Sequence, residues 1–420
     1  VETATLRMNK MVLAILMLLL VASVFFLNEI YNQDKQASIE TFPPVGEYMV
    51  GLYGHSLDLT DDGGFIVAGY VKYLSREIND HDMWILKADR DGMEEWCKTF
   101  GGASTDRVWS VKQTRDKGFL VAGESHSFGD NFQTILLKLD KRGNQSWYKL
   151  LGENDSGQGK DIYLTAEGNA LITGKTSSDS LKRANYLLCE VTLDGQVTFQ
   201  DAYEHELPGG AASLSRLTNG DIVLLGNLQD GTTHAMDFGL IRLNQRREVI
   251  YKSRFGSEQS DEAKSIVATS DGGYLVCGTE FKDRSNKQDL VVYKFDKSDK
   301  MEWKSFAGGL AADGGEQILV TADGGYAALG YTNSSGAGYR DVYVVKLTTT
   351  GQVEWTRTFG GKSTDWGYDF QETEDQGFLI SAGSKSTGQN ATDIWIIKLD
   401  KMGEKEWDKV YCTSGKPSDS

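Results

Sequence analysis

Aspartates recur along this chain at two fixed places in a repeating unit. One series opens an apolar run: Asp82, Asp237, Asp289, Asp341 and Asp393, with Gln133 and Asn185 in the two remaining units. The other follows a Phe-Gly-Gly-like triplet: Asp106, Asp261, Asp313 and Asp365. A ring of such carboxylates suits a hard cation held by oxygen, Ca²⁺ above all, or a polyamine-like cation. The same spacing also suits an architectural task, in which each carboxylate caps backbone N–H groups at a loop end. Repetition in most units favours architecture, because a ligand normally uses a few units only. Asymmetric residues are then the sharper binding candidates, and Tyr73, Phe132 and Tyr339 stand in the variable segments. Exposed aromatics of that kind suit a carbohydrate or a peptide. The five histidines, His55, His81, His126, His205 and His234, fall near the same segments but match no metal-ligand spacing.

Signatures of catalysis are missing: there is no Gly-x-Ser-x-Gly elbow, no phosphate loop and no His-Glu-x-x-His pair. No catalytic residue is assigned on this reading. A pair of glycosidase carboxylates from distant units would leave no local signature, so a glycan-active hydrolase or lyase is the alternative to a binding module.

What positions these residues is the repeat. DVYVVKLTTTGQVEWTRTFGG, from Asp341 to Gly361, reads as strand, Gly-bearing turn and strand. It recurs from Asp82 and, at the end of the chain, from Asp393, with looser copies from Gln133, Asn185, Asp237 and Asp289. Ahead of each copy stands a Thr (Thr60, Thr114, Thr165, Thr218, Thr269, Thr321, Thr373), several followed by Asp-Gly-Gly, and then a strand such as GFIVAG or GYLVCG. The Thr marks lie about 52 residues apart, the unit length of a propeller blade. Each unit therefore supplies four strands, A to D, and seven units predict an all-β, seven-bladed β-propeller of four-stranded antiparallel blades. Strand C is apolar on both faces, as a blade between two neighbours requires. Strand D carries an aromatic at one register position, Trp96, Trp147, Phe199, Tyr251, Trp303, Trp355 and Trp407, expected to wedge between blades. The Lys or Arg that follows it in six units reads as protection of an outer edge.

Thr-x-Asp-Gly-Gly-Tyr, then Asp-x-Trp-Ile-Ile-Lys-Leu-Asp, then Gly-x-x-x-Trp-x-x-x-Phe-Gly-Gly resembles the propeller repeats of secreted and surface-attached bacterial and archaeal proteins. The match covers residues 51–412. It implies an extracytoplasmic interaction or scaffold role and no reaction. The Leu-Asp-x-x-Gly-x-x-x-Trp part is also similar to the tryptophan-docking repeat of quinoprotein dehydrogenases. Those enzymes use eight blades and adjacent cysteines, which this chain lacks, so their chemistry is not implied.

The chain has 420 residues, 47 Gly against 4 Pro, and a formal charge of −16, which disfavours nucleic acid as a partner. Its four cysteines show no paired spacing. Met11 to Leu27 is an uncharged apolar run with Arg7 and Lys10 before it and Glu29 and Asp34 after it, an orientation that places the bulk of the protein outside the cytoplasm. The expected organisation is 1–27 as signal peptide or membrane anchor, 28–46 as tether, 47–412 as the propeller, and 413–420 as a disordered tail. The repeats fall at about 51–102, 103–152, 153–204, 205–256, 257–309, 310–361 and 362–412. A monomer is expected, touching the membrane only through its N-terminal segment. It reads as a non-enzymatic module for a protein or glycan at the cell surface, with no cofactor unless Ca²⁺ occupies the acidic series.

Overall fold

The structure is a computed structural model that describes residues 40–42, 49–73, 81–129, 131–151, 156–177, 183–282, 287–387 and 392–411. The apolar segment Met11–Leu27 and the C-terminal tail lie outside the described residues, as does Cys412. Cys97, Cys189 and Cys277 are free thiols. Among the described residues no helix is long and apolar enough to cross a membrane.

Seven antiparallel sheets follow one another along the chain, six of them with their strands in sequence order and the first with one added strand at its outer edge. They span 49–101, 106–151, 156–203, 209–255, 262–307, 313–359 and 365–411, and are called blades 1 to 7. In blade 2 the strands are Asp106–Gln113 (A), Phe119–Ser125 (B), Gln133–Leu139 (C) and Gln145–Leu151 (D). Strands B and C are buried along their whole length, because both of their faces meet a neighbouring blade, whereas D alternates toward solvent. The apolar clusters accordingly lie between blades: Cys277, Leu290 and Val292 of blade 5 pack on Ile318, Ala328 and Val345 of blade 6. Each Leu, Ile or Val among them, taken from water, contributes about 1.5–3 kcal/mol. The protein is a seven-bladed β-propeller.

One finding alters the expected strand plan. Glu40–Phe42, placed by the sequence in the tether, pairs antiparallel with Thr99–Gly101 as a fifth strand on blade 1. The outer edge of that blade is therefore covered rather than guarded by charge alone. The ring also closes with no exchanged strand. Leu52 N donates to Thr392 O (2.7 Å) across the seam, as Gly157 N does to Phe132 O and Asp365 N to Arg340 O elsewhere. Leu52, Leu57 and Trp84 of blade 1 share a core with Ile394, Ile396 and Tyr411 of blade 7.

The strand D aromatics reach the C–D turn of the following blade. A side chain at Gly351, where φ is +77°, would meet the Trp303 ring at 2.6 Å, and Trp407 approaches Gly92 in the same way across the seam. The nearby basic residues do more than guard an edge. Lys98 donates to Asn144 (2.8 Å) and Arg357 to Glu404 (2.8 Å), each a residue of the next blade.

One interaction recurs at the opposite end of the blades from the variable loops. A lysine near the end of strand C (Lys87, Lys138, Lys294, Lys346, Lys398) is buried and directs its ammonium to the Asp of the A–B turn. Lys294 shows the full set: Asp271 at 2.8 Å, Glu302 at 3.1 Å and the carbonyl of Phe295 at 3.0 Å. Asp271 in turn accepts from Thr269 Oγ1 at 2.5 Å and Gly273 N at 2.9 Å, which explains the Thr-x-Asp-Gly-Gly signature. These bonds hold the Asp271 carboxyl down to about 2, against the burial that would raise it. Replacing Lys294 by Met should lower unfolding stability by about 1–3 kcal/mol, since its carboxylate partners are half-exposed and rehydrate. The same change at exposed Lys300 should stay within about 0.5 kcal/mol in a denaturant titration.

Candidate functional site

Strand A lines the central channel, and in every blade it is interrupted by a β-bulge. In blade 2 the pairing with strand B passes from Val108 directly to Ser110, leaving Trp109 unpaired. The residue left out is Lys160 in blade 3, Ala212 in blade 4 and Lys264 in blade 5. In blades 6 and 7 it is Glu316 and Tyr368, and blade 1 leaves out both Gly54 and His55. A bulge turns its extra residue away from the ladder, and here it presents one side chain per blade to the channel. In blades 1 to 6 a glycine of strand B faces the bulge, where backbone comes close; blade 7 carries Ala382 there. A Cβ at Gly123 would stand 1.9 Å from Arg107 O, and one at Gly330 would stand 1.9 Å from Gly314 O.

The bulge residues line a cavity of about 570 Å³, which reaches up to B–C and D–A loop residues such as Ala184, Pro208 and Arg340. The residue after each bulge forms a belt beneath it. Asp369 accepts from Leu57 N (2.9 Å), Ser56 Oγ (3.3 Å) and Gln317 Nε2 (3.0 Å), and Ser265 donates to Gln317. Asp161 accepts from Ser213 Oγ (2.8 Å) and Leu214 N (3.1 Å). The belt ties blade to blade. Burial raises both Asp161 and Asp369, and Lys112 opposes that rise.

The upper channel is uneven around its ring. His55 packs against Trp109, Tyr368 and Tyr70, with ring centroids at 4.7, 4.6 and 5.2 Å. Lys160 Nζ stands 3.4 Å from the centroid of the Trp109 ring, and Arg340 lies 3.9 Å from that of Tyr331. Lys264 bridges two carboxylates, Glu262 at 2.8 Å and Glu316 at 3.1 Å. Burial works against the charge on Lys264, but Glu316 and Glu262 more than offset it. Lys160 is held down to about 8, first by burial; Glu124 opposes the shift, while Lys264, Arg107 and Lys175 reinforce it. Burial, and after it the charges of Lys160, Lys264 and Arg107, push His55 down to about 3.

The expected acidic series are placed elsewhere. They meet in pairs around the first glycine after strand D: a Cβ at Gly360 would run into Asp341 and Asp365, and one at Gly308 into Asp289 and Asp313. Gly101 stands likewise against Asp82 and Asp106, and Gly256 against Asp237 and Asp261. These aspartates, with Asp393, are buried. Asp313 accepts from Gly309 N (2.8 Å) and Ser334 Oγ (2.6 Å), and Asp365 from Gly361 N (2.8 Å) and Ser386 Oγ (2.6 Å), so both tie the D–A loop to the B–C loop. Asp237 is bound by Arg254 (2.6 Å). Burial pushes Asp393 up to about 6. Among the described residues no three Asp, Glu, His or Cys side chains form a metal-binding group. The aromatic candidates are scattered: Tyr339 is 81% exposed, Phe132 stacks on His126 at 4.6 Å, and Tyr73 packs against the core of blade 1. His55 and His81 flank the same Tyr70 ring, while His126 stands apart with Phe132.

Sequence reasoning missed the channel residues. The signal was the glycine inside strand B, which marks the bulge opposite it in six of the blades.

No protein-family model matches the sequence, and no curated protein matches it. Solved propellers do resemble it in fold. Puromycin hydrolase superposes over 89% of this chain at 14% identity with a TM-score of 0.53, and the chain spans about half, 54%, of that enzyme. The Pan2 WD40 domain of Neurospora crassa matches over 81% of this chain and 87% of its own, at 10% identity and a TM-score of 0.49. The β-propeller domain of the Trilobed protease from Pyrococcus furiosus matches over 84% and 94%, at 12% identity and a TM-score of 0.46. Such likenesses speak to fold alone.

The low value for His55 has a measurable sign. Below its ordinary value of 6.5 the unfolded chain takes up a proton that the fold refuses until about pH 3, so acid in that window destabilises the protein. His55→Gln should therefore lose less melting temperature than the native chain between pH 6.5 and 4. Asp393 acts in the opposite sense but equally in both proteins. Equal losses would show that His55 is free to protonate in the fold.

Proposed function

We propose that this chain is an extracytoplasmic, non-enzymatic binding module for a protein or glycan partner, with the ligand entering the upper end of the central channel. The observation that carries the reading is the unevenness of the bulge positions. Seven equivalent sites hold His, Trp, Lys, Ala, Lys, Glu and Tyr, whereas the belt beneath them is uniformly small or polar. Uniform positions serve the ring, and a position that changes from blade to blade serves something asymmetric. A concave site with aromatic walls and a few convergent polar groups is the usual form of a ligand pocket. The apolar Met11–Leu27 segment and its flanking charges support a location outside the cytoplasm, with the chain secreted or membrane-held.

The alternative, a glycan-active hydrolase or lyase, draws on Glu262 and Glu316. Both reach one ammonium, so their nearest oxygens lie within six Å of each other, compatible with the ~5–5.5 Å of a retaining carboxylate pair. Burial raises Glu316, as a general acid requires. Against this, Lys264 bridges the two carboxylates and offsets half of their charge.

The full chain should bind members of a glycan or peptide panel without consuming them. Trp366→Ala, on the channel wall, should weaken binding at least tenfold while leaving the circular dichroism unchanged. Turnover of a polysaccharide that Glu316→Gln abolishes would instead make the enzyme reading correct.

A further inference from the structure

Several buried polar groups gather on the channel wall shared by blades 1 to 3 without the partners their chemistry asks for. Nε2 of His55, Nε1 of Trp109, Nε of Arg107 and Oε2 of Glu124 are all enclosed, and none of these atoms has a hydrogen bond within the protein. A buried polar atom left in that state is costly, so a cluster of them on one wall points to a partner from outside.

The charges on this wall do not balance either. Arg107 is paired with Glu124 at 3.3 Å, and Lys264 with Glu262 and Glu316. Lys160 and Lys175 are left: among the described residues neither has a carboxylate within ion-pair distance, and the ammonium of Lys160 rests on the Trp109 ring. Two cations without an ion-pair partner thus face a cavity in a chain whose net charge is −16. A second cavity of about 310 Å³, lined by Arg107, Glu124 and Lys175, adjoins the first at Gln158 and Lys175. Trp109 Nε1, Arg107 Nε and the ammonium groups are donors and outnumber the one carboxylate oxygen, Oε2 of Glu124. The wall therefore suits a partner that accepts hydrogen bonds and carries negative charge while presenting a hydroxyl to Glu124. The rest of the upper channel offers Trp366 and Tyr368 as flat apolar faces, with Gln158 as an amide hydrogen-bonding group. That combination suits a polyhydroxylated ring laid against an aromatic surface.

Resting on the reading of the channel as a ligand site, we propose that this wall binds the carboxylate of an acidic sugar, received by Lys160 and the Trp109 N–H, with the sugar ring held in the upper channel beside blade 7. The ligand is a free sugar acid or the acidic end of a glycan; the carboxylate chemistry is common to both. The charged and titratable groups facing Lys160 are Glu124, Lys264, Arg107, Lys175 and His55. Together with burial they leave the empty site half-charged near pH 8, so affinity should fall as the pH rises above that value.

Titration calorimetry on the full chain at pH 7 tests the assignment with glucuronic acid, its uncharged methyl ester, glucose, and a trisaccharide ending in glucuronate. Glucuronic acid or the trisaccharide should bind, the stronger of the two identifying the source, with the ester and glucose at least tenfold weaker. Lys160→Met should weaken binding ten- to hundredfold, the range of one charge-assisted hydrogen bond. Lys175→Met, at a more exposed position, should weaken it in the same direction, and Lys401→Met on the outer surface should leave it unchanged. Equal binding of glucose and glucuronic acid, indifference to Lys160→Met, or no binding of either acid would overturn the proposal. If a neutral sugar or peptide then still bound in a manner sensitive to Trp366→Ala, the channel module would stand and the acidic ligand alone would fall.

Discussion

The buried ammonium on strand C is the constraint from which the blades take their form. Lys294 is almost wholly enclosed, yet its two carboxylates are about half in water. The desolvation cost therefore falls mostly on one ion, and the carbonyl of Phe295 together with Asp271 and Glu302 offsets it. Geometry follows from that set of bonds. Asp271 belongs to the A–B turn, and Glu302 is the extra residue of a bulge on strand D, so one charge fixes three parts of the blade. Blade 3 shows the rule by inverting it. Glu190 replaces the lysine, Asn169 replaces the turn carboxylate as its partner (3.0 Å), and Arg247 arrives from blade 4 at 2.7 Å. Blade 4 uses Arg242, held by Asp221 and by Asp299 of blade 5. Where the local pair departs from Lys and Asp, neighbouring blades supply the missing charge.

With one end of each blade fixed in this way, the other end is open to variation. The bulge in strand A separates two layers of the channel. The belt residues, among them Ser56, Asp161, Ser213, Gln317 and Asp369, are spent on one another. The bulge residues above them are excused from the ladder and free to differ. A small residue on strand B, glycine in six blades and Ala382 in blade 7, accompanies this arrangement and leaves the identity of the presented side chain unconstrained.

This division explains what could be read in the sequence. Seven units of four strands were legible because turn residues and apolar runs repeat at one period, and the register aromatics such as Trp303 and Trp355 were visible for the same reason. The aspartate series were visible too, but not their company: Asp341 and Asp365 meet only because strand D returns the chain between them to one glycine. The channel wall was hidden for a related reason. His55, Trp109 and Tyr368 converge through ring closure from opposite ends of the chain, and no spacing records that. Nor did Glu40–Phe42 announce itself, since three residues pairing on an existing edge carry no periodicity of their own.

The seam between the last blade and the first carries a consequence for topology. It repeats the joints found elsewhere: Leu52 N to Thr392 O, Trp407 beside Gly92, and Tyr411 donating its hydroxyl to Gly92 O at 2.6 Å. A ring with no privileged joint has no intrinsic beginning. Joining its ends by a linker and opening the chain at another D–A loop would yield a circular permutant with the same seven interfaces, in which the channel wall of blades 1 to 3 is built from a different order of synthesis.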